Sequence, residues 1–206
     1  MSEGDFFSDE AKRATAASVR SAEAQTCAEI VVAVRKNSGR YGVLAYHFGF
    51  GFSALVVSYL LLAPELYSAF AIALDGIVAF ALGALLAANF DSVLRALSRG
   101  STLDENVRRG ARVAFFDLGI SGTAGRHGLL VYASMFERRC LVLTDIGIQP
   151  ARLGSGWAVT ERALAAAVKQ RDLAEFQRAV TGLGALLRDA HPRSADDVNE
   201  LPDEVQ

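Results

Sequence analysis

YGVLAYHFGFGFSALVVSYLLLAPELYSAFAIALDGIVAFALGALLAANF, Tyr41 to Phe90, contains only two charged residues, Glu65 and Asp75, although the 206-residue chain carries 21 Lys and Arg and 23 Asp and Glu. The 23 residues from Tyr41 to Ala63 have no charge, and the 25 from Leu66 to Phe90 have only Asp75. Each segment is long enough to cross about 30 Å of hydrocarbon as a helix. Between them stand Pro64 and Glu65, a polar break with a helix-terminating proline, which returns the second span antiparallel to the first. The stretch reads as a transmembrane helical hairpin, 41–63 and 66–90, and the mean hydropathy of +0.25 averages a soluble protein with a membrane insert.

Positive charge gives the hairpin a direction. Arg35, Lys36 and Arg40 precede it, Arg95, Arg99, Arg108 and Arg109 follow it, and the connection has no Lys or Arg. The expected arrangement is a two-span protein of the cell membrane with both termini in the cytoplasm. The acidic, polar start MSEGDFFSDEAKR does not resemble a secretory signal. Small residues at four-residue spacing, Ala45, Gly49 and Ser53 in the first span and Ala79, Gly83 and Ala87 in the second, are the expected helix–helix contact. Asp75 falls near mid-bilayer, where Ser58 and Tyr59 of the first span lie at comparable depth and His47 lies too far away to pair. Its readings are a proton or ion relay, an oligomer contact, or a neutral, hydroxyl-bonded Asp that adds helix–helix specificity.

Outside the hairpin the pattern is that of a soluble α/β domain. Ser8 caps an Ala-rich helix over about Asp9–Gln25, and AEIVVAV, Ala28 to Val34, reads as a buried strand. Its sheet partners are GLLVYAS (128–134) and RCLVLT (139–144), both beyond the hairpin. The predicted soluble domain is therefore discontinuous, 1–40 with 91–206, and the membrane hairpin is inserted after its first strand. Thr102 and Glu105 have capping-box spacing at the start of a helix over about Leu103–Leu118. The two later strands are joined by four residues, too few for a parallel crossover, and so form an antiparallel hairpin. Helices over Val159–Lys169 and Leu173–Ala190 follow, then an acidic tail over 192–206.

The pI near 5.9 and the lack of a clustered basic face exclude nucleic acid as an expected partner. The expected partners are the lipid bilayer and other membrane proteins, with a second copy of the chain possible. Cys27 and Cys140 read as small buried thiols, not as zinc ligands or a disulfide. The sequence contains no Walker loop, Cys-x5-Arg cradle, DxDx nucleophile or HExxH spacing, and by their spacing His47, His127 and His191 are expected to form no histidine cluster. Asp145, at a strand end before Ile146 and Gly147, is the candidate acid for a metal or a catalytic role, or else a turn residue that bonds its own backbone. Glu137, Arg138 and Arg139 read as a solvated hairpin tip or an anion- or partner-binding edge. Trp157 reads as a core cap, a partner anchor or a membrane-surface contact. Asp196, Asp197, Glu200, Asp203 and Glu204 offer oxygens for a divalent cation such as calcium, without EF-hand spacing.

ARVAFFDLGISGTAGRHGLLVYASMFERRCLVLTDIGI, Ala111 to Ile148, resembles the TPM domain family in the order of its parts. These are a helix, a Thr-containing loop, a Gly-led apolar strand, a Ser-x-x-Glu-Arg turn and a strand ending in Asp-x-Gly-Ile. Val180 to Pro192 and DVNELPD, Asp197 to Asp203, are similar to the family's closing helix and its Asn-Glu-Leu-Pro signature. The chain departs from simpler members in its inserted hairpin and in the strand end Ala133-Ser134-Met135-Phe136. The resemblance implies an α/β/α sandwich. For function it implies a membrane-anchored cytoplasmic interaction or assembly module, like members that resemble photosystem repair factors or auxiliary subunits of membrane receptors. The alternative it implies is a metal-assisted phosphatase acting on phosphate monoesters, after the acid phosphatase assignment of a thylakoid member.

Overall fold

The computed structural model describes residues 3–123, 125–193, 200, 201 and 205. The chain divides into two compact units, one of residues 1–38 with 104–206 and one of residues 39–103. In the first unit a three-stranded mixed sheet has the order β1 (Glu29–Arg35), β2 (Gly128–Ser134), β3 (Arg139–Thr144). β1 and β2 are parallel, with Glu29 opposite Gly128 and Arg35 opposite Ser134; β2 and β3 are antiparallel. The parallel pair is possible because some ninety residues separate the two strands, ample length for a crossover.

Alternation along the strands divides the core between two faces. Ile30, Val32 and Val34 of β1 and Leu129, Val131 and Ala133 of β2 face one helical layer. That layer contains Val19 and Ala22 of α1 (Asp9–Glu23), Trp157 and Leu164 of α6 (Gly154–Gln170), and Phe176, Val180 and Leu183 of α7 (Leu173–Leu187). Val31, Ala33, Leu130 and Tyr132 face the other way, onto Val107, Ala111 and Phe115 of α5 (Gly100–Asp117). This is an α/β/α sandwich. β1 and β2 are covered on both faces, which is why they are written as near-continuous apolar runs. Trp157 is a core residue, only 7% exposed.

Local chemistry sets the helix ends. The Ser8 hydroxyl accepts from the Ala11 N–H at 3.1 Å, with Asp9 and Glu10 in the first turn, and the Asp172 carboxylate accepts from the Glu175 N–H at 3.0 Å. α6 stops where Arg171 turns left-handed at φ 60°.

The second unit contains α2 (Gly42–Leu62), α3 (Ala69–Asn89) and a short α4 (Asp91–Leu97). α2 and α3 are each 21 residues long, and by length and composition each can cross a membrane. The connection is wider than the Pro64–Glu65 break, running from Ala63 to Ser68, because the Ser68 hydroxyl caps α3 by accepting from the Ala71 N–H at 3.2 Å. α4 has no counterpart in the sequence reading; at seven residues it is too short to show helical periodicity.

Candidate functional site

Within the hairpin unit, the buried positions are Ala45 and Gly49 on α2 and Gly76, Ala79, Gly83 and Ala87 on α3. Gly83 meets Gly49 at the crossing: a Cβ on Gly83 would lie 3.1 Å from the Gly49 Cα and 3.0 Å from the Phe52 Cβ. Ser53 is half-buried, and its hydroxyl donates to the Gly76 carbonyl at 2.7 Å. Asp75 is exposed, since the residue before Gly76 is turned about 100° away from the packed face. Ser58 and Tyr59 are exposed as well, and neither makes a hydrogen bond with Asp75 among the described residues.

In the α/β/α unit, three sequence candidates gather at the β2–β3 turn. Glu137 is fully buried, which corrects the reading of a solvated tip. Its carboxylate accepts from the Ser38 N–H at 2.8 Å and from the Ser134 hydroxyl at 2.5 Å; the Ser38 hydroxyl donates in turn to Ser134 at 2.7 Å and lies 2.9 Å from the Tyr132 hydroxyl. Burial holds the Tyr132 phenol above its ordinary pKa. Arg138 takes the left-handed position of the turn at φ 54°, and Arg139 pairs with Asp104 at 2.8 Å.

Asp145 lies at the opposite end of the sheet. Arg126 grips it in bidentate fashion, Nε to Oδ2 at 2.6 Å and Nη2 to Oδ1 at 2.8 Å, and the Ile146 N–H donates to Oδ1 at 2.8 Å. The Arg126 hydrogen bonds hold the Asp145 carboxyl below its ordinary pKa; burial opposes this and the Ile146 N–H adds to it. Arg126 itself sits at φ 53°, and its carbonyl accepts from the Gly147 N–H at 3.0 Å. The Asp145 loop is thus tied directly to the segment that leads into β2.

That segment brings together residues the sequence keeps apart. The His127 and His191 rings have centroids 4.5 Å apart, and the Cys27 Sγ lies 3.7 Å from the His127 Nδ1. One donor atom from each of the three lies within 4.8 Å of the others. The expectation of no histidine cluster is overturned here, and Cys27 is a half-buried thiol beside two imidazoles. Strand pairing is the cause. Glu29 is opposite Gly128, so Cys27, two residues before β1, and His127, the residue before β2, arrive side by side. His191 joins them past the end of α7: its carbonyl accepts from the Cys27 N–H at 3.1 Å and from the Thr26 hydroxyl at 2.6 Å, and the Glu29 N–H donates to the His127 carbonyl at 3.2 Å. Burial, with His127 next to it, holds the His191 imidazole below its ordinary pKa. Cys140 is different: burial in β3 pushes its thiol up to about 12, and no imidazole faces it among the described residues. Of the acidic tail, Glu200 is described and exposed, while Asp196, Asp197, Asp203 and Glu204 lie outside the described residues.

No family model matches the chain, and no curated protein matches it. Among solved structures, the NMR structure of the BA42 protein from the psychrophilic bacterium Bizionia argentinensis is similar in fold, with a TM-score of 0.58 at 18% identity over 99% of this chain and 97% of that one.

Proposed function

We propose that this chain is a membrane-anchored cytoplasmic interaction or assembly module of the TPM type, with two spans and both termini in the cytoplasm. One observation carries the anchoring. α2 and α3 bury their glycine and alanine faces on each other and expose Phe50, Leu55, Leu62, Phe70 and Ile77, each at least 65% accessible. Water does not tolerate an apolar surface of that extent, and a bilayer covers it. The basic residues on either side of the pair, with none in the connection, support the cytoplasmic placement of the α/β/α unit.

The assembly reading draws on the use the fold makes of its acids. Asp145 is engaged by Arg126 and Ile146, and Glu137 by Ser38 and Ser134. Both are held as structural acceptors. A tether raises the effective concentration of such a module near membrane partners without any catalytic step. Photocrosslinking in native membranes, from positions on the exposed face of α5 such as Val113, tests it: a discrete membrane-protein adduct is the expected result. Metal-dependent hydrolysis of a phosphate monoester by the purified chain, lost in a folded Asp145→Asn variant, replaces this reading with a phosphatase.

A further inference from the structure

We propose that Cys27, His127 and His191 form a binding site for one borderline divalent transition-metal ion, of which Zn2+ is the type. The inference is independent of the assembly reading. Its first support is the donor set, one thiol sulfur and two imidazole nitrogens within 4.8 Å of one another. Tetrahedral zinc, with bonds of about 2.3 Å to sulfur and about 2.0–2.1 Å to nitrogen, places its donors about 3.5 Å apart. Cys27 and His127 are at 3.7 Å already, so small side-chain rotations complete the set. Sulfur and imidazole donors select zinc and its neighbours over calcium or magnesium, which take oxygen. Three protein donors leave a fourth position for water or an exchangeable ligand.

The second support is that the surrounding backbone is shaped around these side chains. A Cβ on Gly125 would lie 2.6 Å from the His127 Nδ1, and one on Gly147 would lie 2.5 Å from the His127 Cδ2. Glycine on both sides makes the room that the ring occupies. The three donors come from separate segments, and the Cys27 N–H to His191 carbonyl and Glu29 N–H to His127 carbonyl bonds fix those segments together. Residues so held lose little freedom when an ion binds. All three residues are half-buried, which shields the site and still admits an ion.

The test uses the full chain in detergent micelles, stripped with chelator and titrated with Co2+ and then Zn2+. One equivalent of Co2+ should bind with a near-ultraviolet thiolate-to-cobalt charge-transfer band, and Zn2+ should displace it. Cys27→Ser should abolish the band, His191→Gln should weaken binding roughly tenfold or more, and Cys140→Ser should leave both unchanged. Absence of the band in the wild-type chain overturns the site. So does a band that survives in Cys27→Ser or disappears in Cys140→Ser. Should circular dichroism show that Cys27→Ser does not fold, His191→Gln decides: undiminished Co2+ affinity there also overturns it.

Discussion

Asp145 is 5% exposed and its carboxylate accepts three hydrogen bonds, two of them from a guanidinium whose own side chain is 47% exposed. Its pKa lies below the ordinary 3.8 in the folded chain, so folding favours the ionised form. The resulting stability is complete above the unfolded pKa and is lost as pH falls through the lowered folded value. Asp145→Asn is therefore expected to lower the thermal midpoint at pH 7, with a gap to wild type that closes as pH falls toward 2. Midpoints measured across that range check it, and a gap that widens on acidification refutes the ion pair as its source. The same residue marks the limit of sequence reading at this scale. The spacing of Asp145, Ile146 and Gly147 is enough to suggest a turn, but Arg126 is 19 positions away and its grip depends on a left-handed backbone at a non-glycine residue.

The helices and strands were largely legible, because each carries its own pattern. GLLVYAS and RCLVLT are apolar runs whose bounds in the structure are those read from the sequence, and the long apolar helices are visible in charge distribution alone. Gly76 went unread as a contact because it falls outside the four-residue stripe of Ala79, Gly83 and Ala87; the helix turns by 3.6 residues, and the contact includes the three-residue step as well. The approach of α2 to α3 gives a test that includes its own control. Gly83→Leu places a side chain against Phe52 and Gly49, whereas a Cβ on Gly51 meets nothing within 4 Å. Overpacking at Gly83 is expected to cost about 1–3 kcal/mol, and Gly51→Leu close to nothing. Unfolding of both variants in micelles compares them; equal effects would remove Gly83 from the interface.

Over the whole chain, the basic residues that flank the hairpin, with none in its connection, set the topology prediction. A cysteine introduced at Glu65 should react with a membrane-impermeant maleimide added to intact cells, and one at Ser2 should not; the opposite labelling reverses the orientation. The trio of Cys27, His127 and His191 was illegible at this scale because Cys27 and His127 are 100 positions apart and only the β1–β2 register brings them together. That register also governs how the protein is made. Ile30 leaves the ribosome well before its partner Leu129, and both apolar helices are synthesised in the interval. At about 5–20 residues per second, β1 waits about 5–20 seconds for its neighbour. In the proposed membrane-anchored arrangement the spans would enter the bilayer during that wait, with an apolar strand left unpaired on the proposed cytoplasmic side. If the proposed anchoring holds, insertion precedes folding, and a chain that stalls at the translocon leaves EIVVAVR exposed as an edge to which other nascent chains, or a chaperone, can attach.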